Sequence, residues 1–331
     1  MLRHKTQYSL ILLIAILLTG CNLPSGSQED AFATALAGYA TQPAATSEPT
    51  ATTPPSQEPT GVIVYACQIS RLYRKNDLCL VNADGSGFTR LTVRPNDDQF
   101  FPSFAPEGDS IVYSSNQLGE YEIYEMPLGG TEVKLTNTTD NSAPAISPDG
   151  QQIVYTHSFG PTLGESQLWL MTRNGANHTQ LTFLSGGAWD AAWSPDGTQI
   201  LFASNVNQNV QLHTIDLDGG SVRQVTYTPG LRGRNDWSPD GQWMSTYIGT
   251  TWDREIAIFD TNGENLVYLT DGDNNLAPSF SPDGGWITFT SYMDNPREDH
   301  GCEIYIMRID GSDVRRLTNN DYCDWQPRWG R

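Results

Sequence analysis

The sequence predicts an all-β fold: a six-bladed β-propeller of four-stranded antiparallel blades, its ring closed by the C-terminal strand. Three observations predict it. A Pro-Asp-Gly-type turn recurs with its glycines 42, 47, 44 and 43 residues apart, a glycine stands six residues before a Leu-Thr or Val-Thr pair six times over, and the two ends of the chain read as complementary parts of one repeat. A unit of about 45 residues holding four short strands has the size of a propeller blade.

The first turn reads Ala105-Pro106-Glu107-Gly108, then Ser-Pro-Asp-Gly at 147–150, 194–197, 238–241 and 281–284. Proline presets φ at the first corner, aspartate bonds its own backbone, and glycine takes the positive φ that closes the turn. The second marker pairs Gly85 with Leu91-Thr92, Gly129 with Leu135-Thr136, Gly175 with Leu181-Thr182, Gly219 with Val225-Thr226, Gly263 with Leu269-Thr270 and Gly311 with Leu317-Thr318.

Short β-type runs lie between the turns. Ile111-Val112-Tyr113, Ile153-Val154-Tyr155, Ile200-Leu201-Phe202 and Ile287-Thr288-Phe289 follow the first turn as strand b. Glu122-Ile123-Tyr124, Leu168-Trp169-Leu170, Ile256-Ala257-Ile258 and Ile304-Tyr305-Ile306 precede the second as strand c. Gln326-Pro327-Arg328-Trp329 has the character of strand a, and Gly61-Val62-Ile63-Val64-Tyr65 that of strand b, so the last strand is expected to complete the first blade. Closure removes the open edges that invite aggregation.

At these residues the chain resembles the TolB-type, WD-like propeller repeat, over the whole of 61–331. The resemblance implies six blades around a channel and a role in the bacterial envelope. The same repeat precedes the hydrolase domain of prolyl-oligopeptidase relatives and builds oligogalacturonate lyases. TolB-type proteins carry an α/β domain before the propeller, where this chain reads as a linker, and no hydrolase domain is expected after the propeller.

Arg3, His4 and Lys5 precede an apolar run from Leu10 to Leu18, too short to span a bilayer comfortably, and the run leads into Leu18-Thr19-Gly20-Cys21. This order resembles a bacterial lipoprotein signal, which implies cleavage of residues 1–20 and lipidation of Cys21. The protein is then exported and lipid-anchored to a bacterial membrane, facing the periplasm or the cell exterior. The rest of 21–60 is rich in Pro, Thr, Ser and Ala with no Lys or Arg, and is expected to be a disordered linker to the propeller at 61–331.

Four further cysteines, Cys67, Cys79, Cys302 and Cys323, suit an oxidising compartment. Local pairing, 67–79 and 302–323, is the expected connectivity; a 67–323 bridge across the closing blade stays open. The net charge of −19 speaks against a nucleic-acid partner, which would need Lys and Arg to neutralise phosphates.

In a blade the a–b and c–d turns share one face and the b–c and d–a loops share the other. The first face carries the short turns, which backbone chemistry explains. The second carries the loops of uneven length, and is the expected binding face. Its candidates are Asp98, Asp140, Trp189, Asp190, Arg232, Arg234, Trp252 and Trp325, with Asp97, Phe100, Asp324, Arg71, Arg74 and Lys75 near them. Aromatic residues and arginine are frequent interface anchors.

Catalytic and metal patterns are weak. Asp271-Gly272-Asp273-Asn274-Asn275 suggests a calcium loop, but Leu276 and Pro282 stand where an EF-hand needs Gly and Glu. His157, His178, His213 and His300 fall in four different blades, and no G-x-S-x-G elbow or zinc spacing occurs. No metal or other cofactor is expected. The chain is therefore read as a monomeric binding or scaffold lipoprotein for a protein, peptide or cell-wall component, not an enzyme. The alternative is a carbohydrate-active propeller enzyme of the polysaccharide-lyase kind.

Overall fold

The computed structural model describes residues 58–69, 75–217, 220–296 and 301–331. The signal, Cys21, Arg71, Arg74, Gly219, His300 and nearly all of the linker lie outside them.

Among the described residues the strands form six four-stranded antiparallel sheets, as the repeat predicts. Blade 1 joins β1 (Val62–Gln68), β2 (Asn76–Asn82) and β3 (Thr89–Arg90) to β24 (Asp324–Gly330). Blade 2 holds β4 (Gln99–Phe104), β5 (Ser110–Ser115), β6 (Glu122–Pro127) and β7 (Val133–Lys134). Blade 3 holds β8 (Asn141–Ile146), β9 (Gln152–Ser158), β10 (Ser166–Thr172) and β11 (Ala176–Gln180). Blade 4 holds β12 (Trp189–Trp193), β13 (Gln199–Ser204), β14 (Gln211–Asp216) and β15 (Val222–Gln224). Blade 5 holds β16 (Asp236–Trp237), β17 (Trp243–Thr250), β18 (Asp253–Asp260) and β19 (Val267–Tyr268). Blade 6 holds β20 (Asn275–Phe280), β21 (Trp286–Ser291), β22 (Glu303–Arg308) and β23 (Arg315–Arg316).

The closing strand pairs as expected, Ile63 opposite Trp329 and Val64 opposite Arg328. The folded part reaches back slightly beyond Gly61: Pro59 is buried, and Trp329 donates its indole N–H to the Thr60 carbonyl at 2.9 Å. The two expected disulfides are present. Cys67–Cys79 ties strands b and c of blade 1, and Cys302–Cys323 ties the start of strand c in blade 6 to the chain entering β24.

Strand b shows why the repeat reads as apolar runs rather than alternation. Every residue of β5 and β21 is buried, because each sheet packs on both faces. The buried apolar residues form six clusters, each shared by two neighbouring blades: Val64 and Tyr113 between blades 1 and 2, Phe202 and Val154 between 3 and 4, Trp286 and Ile63 between 6 and 1.

The turn signatures acquire their bonds. In each Ser-Pro-Asp-Gly turn the serine hydroxyl donates to the aspartate and the glycine N–H donates to the serine carbonyl. The threonine of the second marker has a deeper role. Thr92, Thr136, Thr182, Thr226, Thr270 and Thr318 each accept a strand-c backbone N–H at 2.9 Å, from Leu78, Ile123, Leu168, Leu212, Ile256 and Ile304. Each hydroxyl then donates to the side chain just before that N–H: Asp77, Glu122, Gln167, Gln211, Glu255 or Glu303. Gly175, Gly263 and Gly311 press on the preceding blade: a Cβ on Gly263, at φ +79°, would lie 1.8 Å from the Val225 carbonyl oxygen.

Thr226→Val removes a buried hydroxyl while keeping its shape, taking the acceptor from the Leu212 N–H and one of the donors from the Gln211 side chain. A loss of about 1–3 kcal/mol is expected in urea unfolding. Gly263→Ala is expected to lower the midpoint further than Gly129→Ala, which has the same positive φ but meets nothing within 4 Å. Equal losses would show that φ alone, not the approach between blades, demands glycine at 263.

Candidate functional site

Strand a lines the channel, and a backbone feature organises its loop-face end. Phe101, Ala143, Asp190, Arg234, Ala277 and Gln326 all sit in the left-handed region, with φ between 50° and 55°. They occupy the same place in the six blades, and in blades 2 to 6 that place is seven residues before the turn glycine. L-residues pay for this conformation, so six copies in register mark a built feature. In blades 1, 2, 3, 4 and 6 the extra residue bulges the strand, and the a–b register slips, between Phe100 and Ser103 in blade 2 and between Ser142 and Ala145 in blade 3. Neighbouring members of the ring satisfy one another's backbone. Gln326 accepts from the Phe101 N–H and Asp190 from the Arg234 N–H, both at 2.9 Å.

All six ring residues line one cavity of about 380 Å³ at the loop-face mouth of the channel. Trp189, Asp190, Arg232, Arg234 and Trp325, five of the eight sequence candidates, line it together. The other three lie elsewhere. Asp98 is spent on structure, accepting from Lys75 Nζ at 2.6 Å and from both nitrogens of Asn76 at 3.1 Å. Asp140 is exposed in the d–a loop ahead of blade 3. Trp252 is 41% exposed on the b–c loop of blade 5, edge-on to Tyr292.

Within the cavity the candidates differ in freedom. Trp189 is 4% exposed and belongs to the core between blades 4 and 5, so it forms wall rather than free surface. Trp325 donates its indole N–H to Asn76 Oδ1 at 3.1 Å and stands edge-on to Phe100. Arg232 donates to the Gly249 carbonyl at 2.8 Å. Arg234 is 6% exposed, and its guanidinium lies 5.0 Å from the ring centroid of Phe101, which comes from the opposite blade. Sequence reasoning missed Tyr247, Arg254 and Leu276 in the same lining. The ring itself was available by counting back seven residues from each turn glycine.

The turn face is less plain than expected. Phe104, Ile146, Trp193, Trp237, Phe280 and Trp329, three residues past each ring member, line a cavity of about 340 Å³ there. Between the mouths, Arg328 donates to the carbonyls of Pro278 and Asn235, each at 3.1 Å, and stands 3.8 Å from Asp236. The described histidines serve packing, and His157 in β9 and His178 in β11 share blade 3 instead of falling in separate blades as expected. His157 bonds Asn141 and meets Phe159 and Trp169 edge-on, His178 bonds Tyr155, and His213 stacks on Phe202.

A family profile described as the TolB beta propeller domain matches residues 133–298, half of the chain. An uncharacterised protein of Agrobacterium fabrum is 27% identical over 226 residues, 65% of this chain and 74% of that protein. The uncharacterised peptidase YuxL of Bacillus subtilis is 25% identical over 62% of this chain, which spans 31% of it. The Tol-Pal system protein TolB of Bordetella pertussis is 27% identical over 69% of this chain, which spans 52% of it. Among solved structures, TolB from Acinetobacter baumannii superposes with a TM-score of 0.72 at 24% identity, over 82% of this chain and 67% of that one.

A further cavity, of about 360 Å³, lies between blades 1 and 6 and is lined by Tyr65, Leu317 and Asp324 among others. Asp324, at the start of the closing strand, is buried and accepts from Asn320 at 2.7 Å. Burial, and then the charge of Glu303, push its carboxyl up to about 8. A carboxyl raised in the folded state stabilises the fold fully below its unfolded value, near 4, and loses that contribution as pH climbs toward 8. Wild type is therefore expected to lose on the order of a few kcal/mol relative to Asp324→Asn between pH 5 and pH 8. Parallel stability profiles for the two proteins would place that proton elsewhere.

Proposed function

The chain belongs to the TolB β-propeller family, and from that premise we propose that it is an exported, lipid-tethered propeller whose loop face holds a protein, peptide or envelope partner. The supporting observation is that five separately named loop-face residues meet in one cavity at the channel mouth. A pocket of that size with an apolar wall and a few polar groups is an ordinary place for a ligand. The short turns of the opposite face are occupied by their own hydrogen bonds. Two disulfides support export, since such bonds persist in oxidising compartments. The peptidase name of the Bacillus subtilis relative keeps catalysis as the competing reading, although the match spans less than a third of that protein.

Tethering rests on the sequence of residues 10–21. Cys21→Ser is expected to abolish labelling by radioactive palmitate and leave the signal uncleaved; normal labelling of that variant would overturn the anchor.

A photo-crosslinking amino acid at Trp252, on the loop face, is expected to trap a partner in intact cells. The same probe at exposed Gln242, on the turn face, is expected to trap none. Adducts from Gln242 alone would mean that the propeller binds through the other face.

A further inference from the structure

Arg234 occupies an unusual position. It comes from blade 5, and its guanidinium reaches the ring of Phe101 in blade 2, so it lies across the channel axis as the floor of the loop-face cavity. Among the described residues no acceptor reaches its Nε or its Nη2. Asp190, the nearest carboxylate along the ring, spends Oδ2 on the Arg234 backbone N–H rather than on the guanidinium.

The surroundings sharpen the contrast. Arg328, the other arginine of the channel, has two backbone carbonyls as acceptors, and its positive charge adds to burial in pushing Arg234 down to about 9. Arg254 also lines the cavity and also has an unpartnered Nε among the described residues, with its guanidinium 5.8 Å from the Tyr247 ring centroid. Three arginines and one acid, Asp190, therefore line this cavity in a chain whose net charge is −19. A buried guanidinium without an acceptor is costly, and native proteins pair such groups.

We infer that the loop-face cavity is a carboxylate site, in which Arg234 takes the carboxylate in its planar fork and the apolar wall takes the body of the ligand. This deepens, and rests on, the reading of the loop face as the binding face. The chemistry is that of a charge-assisted, two-point bond between guanidinium and carboxylate. Asp190 in the same lining favours a singly charged anion over phosphate, whose second charge would face that carboxylate. Trp325, Leu163, Leu276 and Ala277 offer apolar surface beside the fork, so an acid with an aromatic or branched tail fits better than a bare anion. The terminal carboxylate of a peptide and a free small acid present the same group.

The test uses the full-length protein and two probes differing only at that group, N-acetyl-L-phenylalanine and its amide, in calorimetric titration and thermal shift. The acid is expected to bind at least about tenfold more tightly than the amide, the worth of one charge-assisted bond, and to raise the melting temperature. Arg234→Met, of similar length but uncharged, is expected to erase the preference for the acid while melting no lower than wild type without ligand. Where that variant does not fold, the wild-type acid-to-amide ratio still decides. A tetrapeptide with a free C-terminus, set against its amidated form, separates a peptide source from a free acid. Equal affinity for acid and amide, no binding of either at millimolar concentration, or tighter binding of inorganic phosphate would overturn the assignment. Failure here with crosslinking at Trp252 intact would leave the loop face as the binding face and remove only the carboxylate.

Discussion

Each blade of this protein is apolar on both faces, and that constraint shapes the rest. A sheet such as β5–β6, with strand b buried throughout, cannot face water on either side, so it needs a neighbour on both. An open row of such sheets would leave two apolar end faces. Six blades in a ring leave none, and each of the six hydrophobic clusters is shared across one junction. Blade 1 is the vulnerable member because it is assembled from both ends of the folded chain. The Trp329 indole reaching back to Thr60, the Ile63–Trp329 pairing and the Cys302–Cys323 bridge gather at that seam.

Ring packing then raises the question of where the backbone polar groups go, since so much strand is buried. The repeated threonine answers it for the start of strand c. Its hydroxyl accepts from that strand and donates to the preceding Asp, Glu or Gln, and in five blades that side chain accepts again from the N–H two residues past the threonine. In blade 2, Glu122 accepts instead from the Asn141 side chain. One small polar cluster per blade thus holds the exit of strand d and the entry of strand c together. It does so on the loop side, and the loops can vary in length without loosening the sheets beneath them.

Much of this was legible, for local reasons. The turns are set by the φ preferences of Pro, Asp and Gly, which need no tertiary context, so blade number, strand order and closing strand all follow from spacing. The Leu-Thr pair was legible only as a marker; that its hydroxyl joins two elements depends on strands being brought together. The candidate site was half legible. Trp189 and Asp98 had the right face but not the freedom, since Trp189 is packed between blades and Asp98 is held by Lys75 and Asn76. The bulge in strand a is the main reason. A residue in the left-handed region breaks the alternation that assigns side chains to channel or core, and Arg234 occupies that position in blade 5. Tyr247 and Arg254 come from β17 and β18, where membership of the mouth depends on how far each strand extends toward the loop face.

The same ring explains how a buried guanidinium whose Nε and Nη2 meet no acceptor among the described residues, and six strained residues, are tolerated. Local strain and an unmatched charge persist only where the surroundings leave no alternative conformation. In blades 2 to 6 each ring residue is flanked on one side by a turn fixed by its own hydrogen bonds and on the other by a loop held through the threonine cluster, while Gln326 lies on the closing strand paired to β1. Arg234 lies just ahead of β16, whose Trp237 is packed in the core between blades 4 and 5. The scaffold therefore spends stability at the channel mouth and recovers it at the blade junctions, which local rules already satisfy. Departures from those rules are expected at functional or strained sites when the rest of the structure is consistent. Among the described residues, six of the twelve non-glycine residues at positive φ, and the buried Arg234, fall together at one end of one channel.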